Sequence, residues 1–212
     1  MKKRNYNIEV FDQHTQEYDA WYNRHTDLYQ SELLALKMAV PTGQNGVEIG
    51  AGTGRFALPL GIATGLEPSA GMAKLAQERG LKIFPGTAEA LPFPAGSFDF
   101  ALLTTTLCFL DDVPGALAEI HRILRPGGSL VIGMIDKNSR LGKKYEREKS
   151  SNKFYRNARF HSVEEAVRLL ENAGFHHFEF WQTLTGATPG AVETPLPGYG
   201  VGSFAVIKSH KN

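Results

Sequence analysis

Residues 48–54 read EIGAGTG, which places Gly50, Gly52 and Gly54 at alternate positions directly after a short apolar run. Glycine at such a point serves a dihedral that side chains resist, or lets a ligand approach the backbone where a Cβ would collide with it. The N–H groups of a bare loop, together with the N-terminus of a following helix, can hold an anionic group such as a carboxylate or phosphate. A tight structural turn would use the same glycines. Spacing narrows the choice of ligand. A dinucleotide fingerprint is G-x-G-x-x-G, whereas this loop is G-x-G-x-G with Glu48 two residues ahead of Gly50, which disfavours NAD. A second carboxylate, Glu67, ends the next apolar segment, where such a group accepts two hydrogen bonds from ribose hydroxyls. Its plainer reading is a surface glutamate before a Pro turn.

These residues need a scaffold, and the chain alternates strand-like and helix-like segments from residue 46 onward, the pattern of a mostly parallel sheet with helices on both faces. VEIG (47–50), ATGLE (63–67), LKIF (81–84), FDFALLT (98–104) and SLVIGMI (129–135) are short and nearly continuously apolar, as strands buried on both faces are. Ser69 can cap a helix ended by Gly80, and Asp111 or Asp112 one ended by RPGG. In HSVEEAVRLLENAG, Ser162 and Glu165 have capping-box spacing and Gly174 supplies the C-terminal turn. HFEFWQT (177–183) and SFAVIK (203–208), joined by a Pro- and Gly-rich stretch from 186 to 202, read as an antiparallel pair at a sheet edge.

The ordered series VEIGAGTGRF, GLEPSAGMAKLA, GTAEALPFPAGSFDFALL, TTLCFLDDVPGALAEIHRILRPGG and SLVIGM resembles the class I S-adenosylmethionine-dependent methyltransferases, particularly their type 11 small-molecule group, over about residues 45–135. The resemblance implies a Rossmann-like, seven-stranded, mostly parallel α/β sheet with one antiparallel edge pair. It also implies S-adenosylmethionine as methyl donor and no metal. By position, Glu48, Gly50, Ala51 and Gly52 would surround the methionine part of the cofactor, and Glu67 would hold its ribose. Pro68 and Met72 match the apolar wall by the adenosine, although Met72 equally suits a helix residue facing the core. Thr87, Ala88 and Glu89 match the segment along the adenine edge, with Thr87 where Asp is frequent. Thr104 and Thr105 match the end of the fourth strand, or are ordinary strand-end residues. Two departures stand out. RFALPLGIAT leaves room for only about two helical turns before Glu67, interrupted by Pro59. Cys108 and Phe109 replace a histidine pair frequent in the family.

The acceptor side is less determined. FDQHTQEYDAWYNRH resembles the Phe-Asp…Tyr-Asp-x-Trp lead-in with which small methyltransferases cover the cofactor, so Tyr18, Trp21, Tyr22 and His25 are candidate lid residues, and His25 or Tyr22 candidate bases. Phe109 and Tyr145 join Tyr18, Tyr22 and His25 as candidates for the substrate side. From Arg140 to His161 eight Lys or Arg face two Glu, with four aromatics interleaved. That segment reads as a solvated helix or lid covering a site, or as a contact for an anionic substrate or RNA, the last of which would make the protein an RNA methyltransferase. A non-catalytic S-adenosylmethionine-binding regulator is the third reading. No nucleophile elbow or Asn/Asp-Pro-Pro-aromatic motif is present, and the seven histidines lack paired ligand spacing, His176 and His177 pointing to opposite faces of a strand.

A chain of 212 residues with 23 Lys or Arg against 22 Asp or Glu is expected to form one methyltransferase domain without a global field for nucleic acid. Within it, 1–45 reads as a helical lid, 46–135 as the cofactor-binding core, 136–161 as a substrate-side insertion and 162–212 as a C-terminal helix and strand pair. A lone cysteine, a polar N-terminal stretch and the lack of a long apolar run suit a cytoplasmic protein that makes no membrane contact.

Overall fold

The computed structural model describes residues 6–186 and 190–212, so the first five residues of the expected lid and residues 187–189 of the Pro- and Gly-rich connection lie outside the described residues. Three helices open it, α1 (Tyr6–Gln13), α2 (Thr15–Arg24) and α3 (Thr26–Ala39). The strands are β1 (Gly46–Ile49), β2 (Thr64–Leu66), β3 (Lys82–Phe84), β4 (Phe98–Thr104), β5 (Leu124–Ile135), β6 (Phe175–Thr183), β7 (Leu196–Pro197) and β8 (Phe204–Lys211). Between them lie α4 (Ala70–Glu78), α5 (Val113–Ile123), α6 (Arg140–Glu148) and α7 (Val163–Asn172).

All eight strands form one sheet in the order β3-β2-β1-β4-β5-β8-β6-β7. The first five pair in parallel. β8 is antiparallel to both β5 and β6. The expected α/β class and mostly parallel sheet are therefore present, with one correction to the strand number. An eighth strand, β7, is only two residues long and too short to leave a pattern in the sequence. The expected antiparallel pair, β6 with β8, lies at this end of the sheet, β8 inserting between β5 and β6 with its first five residues but one buried and only the two-residue β7 beyond. A second correction concerns RPGG. α5 ends at Ile123, and Arg125–Gly128 form a bulge at the start of β5, where the register to β4 jumps from Phe98↔Leu124 to Phe100↔Ser129.

Period-two alternation divides the interior into two layers. Ala101, Leu103, Leu130, Ile132 and Ile207 pack with Leu117, Ile120, Val163 and Leu170 of α5 and α7. Phe100, Leu102, Val131, Phe204 and Val206 pack on the opposite face with Leu33 and Leu36 of α3. Helix starts follow the sequence signals: Ser69 Oγ accepts from the Met72 N–H (3.3 Å), Asp112 Oδ1 from Gly115 N–H (3.1 Å), and Ser162 and Glu165 close a reciprocal capping box. In β6, His177 takes φ 55° in a register shift between His176 and Glu179, so the two histidines do not alternate across the sheet; both are exposed. No helix among the described residues is long and apolar enough to cross a membrane.

Candidate active site

Strand order reverses between β1 and β4, and ligands of open α/β sheets bind beyond the strand ends at such a switch point. The glycine loop lies there. Gly50 (φ 71°) and Gly52 (φ 54°) are both left-handed, a region costly for other residues, but their surroundings differ. A Cβ on Gly50 would strike the Thr106 side chain at 2.5 Å, whereas one on Gly52 would meet only the Met72 sulfur at 3.7 Å and project into open cleft. Gly50 is bare for packing, and Gly52 for whatever enters. No α-helix follows the loop: the chain turns through one 3-10 segment, Leu58–Leu60, with Pro59 in it. The expected helix N-terminus behind the loop is thus absent, and the loop is held instead by Gly50 and Ala51 N–H groups donating to Leu66 O (2.8 and 2.9 Å).

Glu67 is 6% exposed. Its Oε2 accepts from the Gly52 N–H at 2.8 Å and its Oε1 from the Ser69 N–H at 2.9 Å. Each oxygen has a second acceptor site, so a carboxylate locked by backbone still offers one lone pair per oxygen to the cleft. Burial pushes it up to about 7, against those two hydrogen bonds. Glu48 is 1% exposed, with burial pushing it up to about 8. Glu48 Oε2 and Thr104 Oγ1 are buried without a hydrogen bond of good geometry among the described residues, although the Thr104 hydroxyl and the Ala57 N–H are near enough to favour the charged carboxylate against its burial. A carboxylate oxygen and a hydroxyl so placed, beside an open loop, keep acceptor capacity for a donor supplied from outside the chain.

The cleft over this loop measures about 760 Å³ including its open mouth, within the roughly 300–1,000 Å³ of small-molecule sites. Gly50, Gly52, Glu67, Pro68 and Met72 line it, and so do Thr87, Ala88, Glu89, Thr104 and Thr105. Glu48 and Ala51 line a small chamber continuous with it through Gly50, Gly52 and Thr104. Glu89 is half-buried, its Oε1 accepting from Asp111 N–H (3.2 Å) and so tying the β3–β4 connection to the segment before α5. Thr105 holds φ 52°, a strained setting of about 1–3 kcal/mol for a β-branched residue. Its N–H donates to Gly133 O at 2.7 Å.

Asn7 and Ile8 of α1 also line this cleft and were not indicated by the sequence, beside Phe11, the first residue of the lead-in; Ile49, Leu66, Gly86, Thr106 and Leu110 complete the wall from segments whose neighbours were indicated. What brings α1 and α2 over the cleft is a pair of aspartates in the lead-in itself. Asp12 Oδ1 accepts from Gly71 N–H (2.6 Å) at the start of α4. Asp19 pairs with Arg55 (2.6 Å) and Arg79 (2.6 Å) and accepts from Thr53 Oγ1 (2.6 Å), which pins α2 to the glycine loop. Burial opposes ionisation of Asp19, but those hydrogen bonds prevail and hold its carboxyl well below the usual range. The Phe-Asp…Tyr-Asp-x-Trp spacing was the available signal.

A second cleft, about 1250 Å³ and open to solvent, adjoins the first; Tyr18 and Thr105 line both. Tyr22, Tyr145 and Trp21 line the second, with Glu32 of α3. The Tyr18 and Tyr22 hydroxyls are 2.9 Å apart. Burial raises both phenols, Tyr18 to about 12. Phe109 lines the first cleft instead. His25 lines neither: its Nδ1 contacts Trp21 O at 2.9 Å and its ring stacks on Trp21 at 4.5 Å, so it closes a helix end. In the basic segment the aromatics turn inward, Phe154 and Tyr155 lining the second cleft and Phe160 buried, while Arg140, Lys143, Lys144 and Arg147 face solvent. Among the described residues no cluster of three His, Cys, Asp or Glu is arranged to hold a metal.

A methyltransferase-domain family model matches residues 47–132. A solved structure from Thermotoga maritima, described as an S-adenosylmethionine-dependent methyltransferase and possible histamine N-methyltransferase, is 46% identical and covers 97% of this chain and all of its own, with a TM-score of 0.94. The chain belongs to the class I S-adenosylmethionine-dependent methyltransferases. An uncharacterized protein of Methanocaldococcus jannaschii is 40% identical to this methyltransferase-family chain over 96% of it and all of its own length. A demethylmenaquinone methyltransferase of Listeria welshimeri is 31% identical over 48% of this chain and 49% of its own.

Proposed function

We propose that this chain, acting as one methyltransferase domain, moves a methyl group from S-adenosylmethionine to a small-molecule acceptor. The observation that carries the reading is the junction: a cleft fitted to a nucleoside and an amino acid opens at Tyr18 and Thr105 into a second cleft lined by aromatic rings. When bound, S-adenosylmethionine supplies a methyl group on a sulfonium that leaves as a neutral thioether. Glu67 offers its two remaining lone pairs to the ribose diol, and Met72, Pro68 and Ala88 flank the nucleoside. The buried Glu48 carboxylate and Thr104 hydroxyl suit the ammonium of the methionine part, with Gly50, Ala51, Gly52 and Thr105 around it. Thr87 and Glu89 lie toward the adenine edge.

Such a displacement asks the protein to align the acceptor with the methyl group and keep water away. α1 and α2, pinned by Asp12 and Asp19, cover the junction and supply that exclusion. Small acceptors are supported over RNA by the inward aromatics of the basic segment, since single-stranded bases stack on exposed rings. The possible acceptor named for the Thermotoga maritima relative, histamine, and the demethylmenaquinone named for the Listeria welshimeri relative are not nucleic acids. Calorimetry with S-adenosylhomocysteine and NAD tests the donor: binding of NAD and not of the homocysteine derivative sinks the reading. Incubation with labelled S-adenosylmethionine and a fractionated cell extract tests transfer. Label recovered only in RNA, or cofactor bound with no label transferred, would favour the RNA or regulator readings.

A further inference from the structure

We propose that the second cleft seats a small primary or secondary amine in its ammonium form, with Glu32 as its counter-ion and then as the group that receives its proton. Only the identification of that amine as the methyl acceptor rests on the methyl-transfer reading.

Glu32 lies mid-way along α3, lines the cleft and is 5% exposed. Its carboxylate has no hydrogen bond or ion pair to a described residue, and no charge among those residues compensates its burial, which pushes it up to about 8. A buried ionised carboxylate without a partner is costly, and the cost is relieved by a cation or a proton. The cations among the described residues that line the cleft do not serve. Lys153, at the cleft's rim, pairs with Glu17 at 2.6 Å, and Arg24, exposed there, makes no ion pair with Glu32.

The surroundings select the kind of cation. Tyr18, Tyr22, Tyr145 and Tyr155 line the same cleft as Glu32, so four rings share its enclosure. Burial is the largest cause that raises all four phenols, and the negative charge of Glu32 adds to it, second in size only for Tyr145. Tyr145 stacks on Tyr155 at 4.9 Å, and Trp21 meets Tyr22 edge-on at 5.3 Å. Rings around one carboxylate attract an organic ammonium through their faces and through the ion pair, while an anion or a neutral alcohol loses both terms. A metal ion would want several oxygen or nitrogen ligands, which this enclosure does not offer.

An ammonium is no nucleophile until it loses a proton. In this pair the transfer balances without another species: the N–H bond breaks, the O–H bond forms on Glu32, and a neutral amine with a free lone pair faces a carboxylic acid. An alkylammonium titrates near about 10.4, so a carboxylate raised by burial is a far better match than one in water. The groups facing Glu32 are the four tyrosines, which stay protonated, with Glu17, Arg24 and Lys153 at the rim.

The test is calorimetry on the full chain with butylamine, phenethylamine and histamine, each against its alcohol analogue, with and without saturating S-adenosylhomocysteine. The amines should bind at least about tenfold more tightly than the alcohols. Glu32→Gln should weaken amines by about 30-fold or more, as expected for truncating one side of a buried charge pair. It should leave S-adenosylhomocysteine affinity within about twofold and, above pH 8 where Glu32 is ionised, melt no lower than the wild type, since it removes a buried charge. Tyr145→Leu should weaken the amines and spare the alcohols, independently of Glu32. Proton release measured in buffers of differing ionisation enthalpy should change in Glu32→Gln. Equal binding of amines and alcohols overturns the proposal, and so does amine affinity that survives Glu32→Gln, or a parallel loss of S-adenosylhomocysteine affinity. An amine preference in a protein that binds no S-adenosylhomocysteine would leave the ammonium site standing and remove the methyl-transfer reading.

Discussion

Replacing Glu67 by Gln should weaken S-adenosylhomocysteine binding about 100-fold at pH 8. The magnitude follows from the geometry. Both carboxylate oxygens are already held by backbone, Oε2 by Gly52 N–H at 2.8 Å and Oε1 by Ser69 N–H at 2.9 Å, leaving one acceptor site on each for the ribose diol. Hydrogen bonds to a charged group are worth about 1.5–3 kcal/mol each. Gln keeps one oxygen but sets an NH2 against a backbone donor, so about 3 kcal/mol is lost, close to two decades of affinity. Glu67→Ala should cost at least as much. The carboxylate also sets a pH dependence whose sign is fixed. Burial raises Glu67 to about 7 in the free protein, and the ionised form is the one that accepts from two hydroxyls. Below pH 7 binding must first expel a proton, so affinity should fall about tenfold from pH 8 to pH 6. Glu48, raised to about 8, titrates in the same window, so the contribution of Glu67 is read from the difference between the wild-type and Glu67→Gln profiles. Titration calorimetry at pH 6, 7 and 8 on both proteins is the assay. A Gln variant within about threefold of wild type, or two parallel pH profiles, would refute the reasoning.

Asp19→Ala leaves Arg55 and Arg79 without their shared partner. Breaking a buried pair costs about 3–5 kcal/mol, and because the arginine side chains are 20% and 27% exposed about 2–3 kcal/mol is expected, lowering Tm by roughly 4–12 °C. Asp19 is held below its unfolded value, so this stability is complete above the usual carboxylate range and disappears only as pH falls through the folded value. The Tm gap should be the same at pH 6 and pH 8; a gap that closes at pH 6 contradicts the pairing. Gly52→Ala pushes a methyl group into the cleft from φ 54°; it should abolish measurable S-adenosylhomocysteine binding at a stability cost of only about 1 kcal/mol, and unchanged binding would show that the loop is bare for the turn alone. Binding to a generic RNA in low salt should be weak and vanish by 0.2 M salt. Tight binding with a steep salt slope would revive the nucleic-acid reading.

Much of the scaffold was legible because its signals are local. Buried parallel strands need apolar runs, and helix starts need acceptors such as Ser69, Asp112 and Ser162 for their free N–H groups; each sits where the sequence indicated. The cleft residues were legible for a related reason: the G-x-G-x-G loop and Glu67 end consecutive strands that pair in register, Ile49 with Leu66, so they meet automatically. Less was legible where partners are distant in sequence. β8 gives no sign that it will insert between β5 and β6, and His25 resembles a base until its ring is seen stacked on Trp21. Asp19 was one acidic residue among several until Arg55 and Arg79 converged on it.

By itself the sequence determined the alternating α/β order, the loop and the carboxylate beyond the next strand, because these depend on period, capping and spacing along the chain. Only the tertiary structure decided which faces the side chains share. It turned the aromatics of the basic segment inward. It also buried Glu48 beside the glycine loop and Glu32 among tyrosines. Desolvation and pairing depend on what surrounds a group in space, and no pattern along the chain encodes that.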